Sequence, residues 1–122
     1  MDTLLAGLSL PQGVPLRSKN GAYYLVVQGD GNLVGYTSSD FRPENAFWSS
    51  ATQGHGVAPF QLKMQRDGNL VIYDADDRPT WASLTHGALN SGSRDRLVLQ
   101  DDRNLVVYRG RDARWASGSQ HR

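Results

Sequence analysis

Three stretches of the chain align without gaps: Gln28-Gly-Asp-Gly-Asn-Leu-Val-Gly-Tyr36, Gln65-Arg-Asp-Gly-Asn-Leu-Val-Ile-Tyr73 and Gln100-Asp-Asp-Arg-Asn-Leu-Val-Val-Tyr108. Their first glutamines stand 37 and 35 residues apart. A second marker keeps step: Trp48-Ser-Ser, Trp81-Ala-Ser and Trp115-Ala-Ser, separated by 33 and 34 residues. Two independent landmarks at one period identify an internal triplicate. The fold must therefore use one supersecondary unit three times.

Each unit reads as strands. The β-rich runs Tyr23–Val27, Phe60–Met64 and Arg96–Leu99 precede the glutamines, and Asn-Leu-Val-x-Tyr follows each motif aspartate. Between them Asp30-Gly31 and Asp67-Gly68 are hairpin turn signals. The third copy has Asp102-Arg103, so a positive φ is not expected to be obligatory there. The connections, such as Thr52–Val57 and Thr85–Ser93, are rich in Gly, Ser and Asn. No window repeats apolar residues at helical spacing, so essentially no helix is expected. One short unit cannot bury its apolar face, but three around a pseudo-threefold axis can. Trp48, Trp81 and Trp115, each followed by small residues, suit a shared central anchor better than sugar-stacking platforms.

Length and charge narrow the function classes. The 122 residues suit a single domain spanning 1–122, and 13 basic against 12 acidic side chains leave a net charge of +1. Charge of both signs is spread along the chain, so neither a nucleic-acid patch nor a polybasic membrane anchor is present. Arg109, Arg111, Arg114 and Arg122 are the densest basic stretch, and Asp112 interrupts it as on a solvated edge. Cysteine is absent, which excludes disulfides, thiolate metal sites and a Cys nucleophile. The apolar start (Leu4, Leu5, Ala6, Leu8, Leu10) is broken by Gly7 and Ser9, so neither a signal peptide nor a membrane span is read there. His55, His86 and His121 lie in loops or the tail and do not repeat. Asp76-Asp77 and Asp101-Asp102 are adjacent, which sends paired carboxylates to opposite faces of a strand. No nucleophile elbow, phosphate loop, dinucleotide fingerprint or metal-ligand spacing appears. No catalytic residue, metal or cofactor is expected.

The motif has its own chemistry. Side chains alternate along a strand, so Asn32, Val34 and Tyr36 share one face while Leu33, Leu70 and Leu105 point to the core. Gln and Asn donate and accept, Asp only accepts, and Tyr does either. A pyranose offers adjacent hydroxyls and an apolar patch of ring C–H groups, which Val34, Val71 and Val106 suit. Plain turn chemistry accounts for the Asp and Gly. It leaves unexplained why Gln and Tyr recur in every copy. Net hydrogen bonds are worth only about 0.5–1.5 kcal/mol each, so one shallow site binds weakly and triplication supplies avidity.

Gln-x-Asp-x-Asn-x-Val-x-Tyr, intact three times over nearly the whole chain, resembles the monocot mannose-binding (bulb-type, snowdrop-agglutinin-like) lectins. The lead-in Leu4–Leu10 and the ending Arg114-Trp-Ala-Ser-Gly118 share in the resemblance. It implies an all-β, β-prism II fold: three four-stranded antiparallel sheets about a pseudo-threefold axis, with one mannose site per sheet. It also implies that Asp and Asn address the axial 2-hydroxyl, Gln the 3-hydroxyl and Tyr the 4-hydroxyl, with Val on the ring carbons. The first site would comprise Gln28, Asp30, Asn32, Val34 and Tyr36. The second would comprise Gln65, Asp67, Asn69, Val71 and Tyr73, and the third Gln100, Asp102, Asn104, Val106 and Tyr108. The implied function is non-catalytic, multivalent recognition of terminal α-D-mannose on high-mannose glycans and glycoproteins. A β-prism module that binds protein without sugar is the alternative.

Two departures from the family stand out. A disulfide common in the family aligns with Gly31 and Phe60, so Phe60 is expected to be buried in its place. The first copy carries eleven residues, Thr37–Phe47, between Tyr36 and Trp48, where the others have seven and six. This insertion lies beside the first site, to extend or partly cover it, and Gly35 is expected to loosen that sheet. The resemblance further implies a homodimer formed by exchange of the C-terminal strand, drawn from Arg111–Ser119, with Gln120–Arg122 frayed. A glycan-binding role favours an extracellular setting, although no signal peptide is seen and a cysteine-free domain folds in either redox compartment.

Overall fold

A computed structural model describes residues 1–87 and 92–120. The middle of the Thr85–Ser93 connection and the last two residues, with His121, lie outside the described residues. Every sheet is antiparallel and four-stranded. One contains β3 (Leu16–Arg17), β4 (Tyr24–Val27), β5 (Leu33–Tyr36) and β6 (Ala46–Ser49). The second contains β2 (Ser9–Pro11), β7 (Gln61–Met64), β8 (Leu70–Tyr73) and β9 (Pro79–Ala82). The third contains β1 (Thr3–Leu5), β10 (Asp95–Leu99), β11 (Leu105–Arg109) and β12 (Asp112–Ala116). This is the β-prism II arrangement.

The repeats supply only three strands each. The fourth strand of every sheet comes from the N-terminal ribbon, which gives β1, β2 and β3 to three different sheets. Leu4, Leu10 and Leu16, six residues apart, are its inward side chains and are essentially fully buried. With Leu25, Leu33, Leu62, Leu70, Leu97 and Leu105 they form one aliphatic core.

The tryptophans meet as expected, but not as the main anchor. Their rings make a closed edge-to-face triad with centroids 5.5, 5.8 and 6.1 Å apart. All three remain half-buried against the aliphatic cluster, because leucines already fill the interior and large rings seldom fit there completely. Edge-to-face geometry suits the ring quadrupoles and adds about 0.5–1.5 kcal/mol per pair.

Each motif turn is a three-residue loop. Gly31 N–H donates to Gln28 O and Gln28 N–H to Asn32 O, and the same pair of bonds recurs at Gly68 and Arg103. That loop ends on a residue in the left-handed region: Gly31 at φ 90°, Gly68 at φ 92° and Arg103 at φ 79°. The expectation from the third copy is thus corrected, since positive φ is obligatory and Arg103 adopts it despite its Cβ. Its side chain has compensating partners. Nε donates to Ser119 O at 3.0 Å and the guanidinium lies 5.4 Å over the Phe47 ring.

The other two turns also lean on a neighbouring unit. Phe60 is buried as expected, and a Cβ at Gly31 would stand 3.0 Å from its ring. Packing thus occupies the place of the staple. Gly68 lies against the Asp95–Arg109 ion pair, whose Nε–Oδ1 distance is 2.8 Å and whose carboxylate is fully buried. The hydrogen bond that Arg109 donates to Asp95 holds its guanidinium above its ordinary pKa, outweighing desolvation.

The insertion is ordered around a single 3-10 turn, Pro43–Asn45, the one helical element among the described residues. Gly35 does not loosen its sheet. The Phe47 ring fills the space where Ile72 and Val107 put their own side chains in the other copies.

Candidate functional site

The structure brings each set of five motif residues together on the outward face of its sheet. Gln28, Gln65 and Gln100 close the second strand of each sheet, the aspartates sit in the turn, and Asn, Val and Tyr follow along the third strand. The valines lie opposite the core leucines as alternation requires, yet Val34, Val71 and Val106 are only 2–3% exposed. They floor the sites rather than project from them. Before every motif tyrosine the register shifts, between Gly35/Tyr36, Ile72/Tyr73 and Val107/Tyr108. A bulge at that point re-aims the tyrosine toward its glutamine.

The polar groups form connected strings. In the first site Tyr36 Oη donates to Gln28 Oε1, and Gln28 Nε2 donates to both Asp30 oxygens at 3.2 Å. The third site repeats this through Tyr108, Gln100 and Asp102, with amide-to-carboxylate distances of 3.1 and 3.2 Å. In the second site the amide is turned round, and Gln65 Nε2 donates to Tyr73 Oη at 2.6 Å. Each aspartate also accepts the backbone N–H two residues on, at 2.9 Å in all three copies. The turn reading and the binding reading of Asp are therefore both satisfied by one side chain. Burial, then the charge of Asp30, raises the Tyr36 pKa, which keeps its hydroxyl a proton donor.

A second group of residues escaped the sequence reading. Asn32 Oδ1 accepts from Ser50 Oγ at 3.2 Å and Thr52 N–H at 3.3 Å. Asn69 Oδ1 accepts from Ser83 Oγ, Leu84 N–H and Thr85 N–H, and Asn104 Oδ1 from Ser117 Oγ, Gly118 N–H and Ser119 N–H. The same serine hydroxyls accept the N–H of Leu33, Leu70 and Leu105 at 3.0–3.1 Å. Thr52, Thr85 and Ser119 tie back to the carbonyls of Gly31, Gly68 and Arg103. The asparagine carbonyl is thereby satisfied within the protein, which leaves the NH2 as the part of the amide that a ligand would use. The signal was present as Trp-x-Ser-x-Thr/Ser, immediately after each tryptophan. The residue between that serine and the following Thr or Ser, namely Ala51, Leu84 or Gly118, takes φ of 58°, 61° or 71° to permit the clamp.

The first site alone has a wall from the insertion. Phe41 stacks on Tyr36 with centroids 4.9 Å apart, and Pro43, Ala46, Ser49 and Gln53 join the motif residues around a cavity of about 300 Å³. Elsewhere, His55 and His86 are exposed loop residues, and no metal-binding cluster of His, Cys, Asp and Glu occurs among the described residues. The arrangement offers fixed donors and acceptors above an apolar floor, three times over. It suits reversible binding of a small polyhydroxylated ring.

No protein-family model matches the chain. It is 34% identical over 99 residues to the mannose-specific lectin of Aloe arborescens, covering 81% of this chain and 82% of that protein. It spans about a third of the length of two other curated relatives, 31% and 36%. Among solved structures, a monomeric monocot mannose-binding lectin from Gastrodia elata superposes with a TM-score of 0.81 at 42% identity, covering 99% and 100% of the two chains. The snowdrop (Galanthus nivalis) mannose-specific agglutinin, complexed with methyl-α-D-mannoside, superposes at 0.78 with 33% identity over the full length of both.

Proposed function

The chain belongs to the monocot mannose-binding (bulb-type) lectin family, and from that membership we propose that residues 1–122 act as one lectin domain binding terminal α-D-mannose, without catalysis, at the three sites described above. The observation that carries this reading is what recurs at every site: a Gln–Tyr hydrogen bond, an Asp that accepts the backbone N–H two residues on, and an Asn carbonyl held by the following serine. A structural turn would need the Asp bond alone. Recurrence of the Gln–Tyr link on the outward face is what a shared ligand demands. Selectivity follows from pairing. An equatorial 2-hydroxyl or an axial 4-hydroxyl leaves part of such a fixed polar set without a partner, at a cost of about 1–3 kcal/mol.

A homodimer by C-terminal strand exchange belongs to the same proposal. It is supported by the position of β12, an edge strand exposed at four of its five residues, whose ladder to β11 a partner's strand would make equally well. Its test is the mass in solution, which is twice that of the chain if the strand is exchanged.

The binding test is retention on immobilised mannose and elution by methyl α-mannoside but not by galactose. Combining Gln28→Ala, Gln65→Ala and Gln100→Ala is expected to abolish retention with the far-UV spectrum unchanged. Retention of the triple variant, or retention that methyl α-mannoside does not displace, favours a protein-binding module instead.

A further inference from the structure

The first site contains more than its five motif residues can use. Its cavity of about 300 Å³ is also lined by Pro43, Ala46, Ser49 and Gln53. By register Ser49 opposes Val34, where the other sheets place Ala82 and Ala116, so this hydroxyl is unique to the first site. Pro43 comes from the insertion, which neither other copy has. Among the described residues, neither the Ser49 hydroxyl nor the Gln53 side chain is hydrogen-bonded within the chain.

The wall is built rather than draped. Asn45 Nδ2 donates to Asp40 O at 2.8 Å, Arg42 Nε pairs with Asp40 at 2.8 Å, and Thr37 N–H closes the loop on Asn45 O at 2.9 Å. Phe41 stacks on Tyr36 and meets Tyr24 edge-on at 6.0 Å. Tyr36 is buried in consequence, while Tyr73 and Tyr108 stay half-exposed. A preformed wall loses little entropy on binding, so groups mounted on it contribute to affinity.

We propose that the first site takes two sugar residues, an α-linked mannose disaccharide at a non-reducing end, while the second and third take one. The terminal ring lies on the motif residues. The adjoining ring lies along Pro43, with its hydroxyls within reach of Ser49 and Gln53. An apolar ring flanked by one hydroxyl and one amide is the mixture a second pyranose presents in reverse. The inference rests on the mannose reading above and adds to it a difference between sites.

The test is a site-resolved titration of the isotopically labelled full chain, following the side-chain amides of Gln28, Gln65 and Gln100. The probes are methyl α-mannoside and an α-linked mannose disaccharide. Two added hydrogen bonds predict that Gln28 reports the disaccharide at least roughly fivefold tighter than the monosaccharide, with a ratio near one at the other amides. Ser49→Ala and Pro43→Ala are each expected to lower the ratio at Gln28. Equal ratios at all three amides, or a ratio at Gln28 that both variants leave intact, overturn the inference alone. Silence of every amide toward both sugars overturns the mannose reading together with it.

Discussion

The Phe47 ring occupies the volume that a side chain at Gly35 would need: a Cβ built there would lie 2.7 Å from Phe47 Cε1. Gly35 is paired across the ladder with Trp48, next to Phe47, as Ile72 is with Trp81 beside Thr80. One sheet thus fills its inner face from the fourth strand and the other from the third. Gly35→Val is expected to cost about 1–3 kcal/mol by overpacking. Phe47→Thr should leave a void of similar consequence, and the double variant should recover part of both losses. A double-mutant cycle by urea denaturation checks this, with simple additivity as the contrary result.

Ser83 serves two masters, accepting the Leu70 N–H at 3.0 Å and donating to Asn69 Oδ1 at 3.3 Å. Ser83→Ala leaves a half-buried backbone N–H without its acceptor, and a loss of about 1–3 kcal/mol is expected. Released Asn69 should also weaken the second site while the first and third are unaffected. Stability by denaturation and mannoside titration at the Gln65 amide measure the two effects separately.

Arg103 pays for its positive φ through contacts with Phe47 and Ser119. Arg103→Ala keeps the strained backbone and removes both contacts, so its midpoint of thermal unfolding should fall. Arg103→Gly removes the contacts and the strain together. Relief of about 1 kcal/mol should leave it more stable than the alanine variant. Glycine falling below alanine would show that this backbone carries no strain.

Asp74 accepts the N–H groups of Arg78, Asp76 and Val57 at 2.9–3.1 Å. The bond from Arg78 is the largest influence holding its carboxyl below the ordinary range, and those from Val57 and Asp76 act in the same direction against desolvation. A depressed folded pKa contributes stability that is complete above the unfolded value, about 3.9, and is lost as pH falls through the folded one. Asp74→Asn should therefore be less stable than the parent at neutral pH, and the gap should narrow on acidification below that window. Parallel stability curves from neutral to acid pH would contradict the assignment.

The N-terminal ribbon shows why part of the fold was hard to read. Leu4, Leu10 and Leu16 recur at six residues, a period belonging to neither helix nor strand, because each leucine enters a different sheet. As a local pattern the segment reads as a broken apolar run. The asparagine clamp was equally visible as Trp-x-Ser-x-Thr/Ser. Its purpose depends on Ser50 reaching Asn32 from 18 residues away, a contact no local rule implies.

By itself the sequence determined the threefold repeat, the strand periodicity, the burial of Leu33, Leu70 and Leu105, and the chemistry offered outward by Gln, Asp, Asn, Val and Tyr. Those follow from residue identity and alternation along one strand. Tertiary structure alone decided that the tryptophans cap an aliphatic core, that Arg103 must enter the left-handed region, and that Gly35 makes room for Phe47. It alone decided that the insertion beside the first site stacks Phe41 on Tyr36 and so becomes a wall. Each of these depends on what a different segment brings into the same volume, and close packing lets only one of them occupy it.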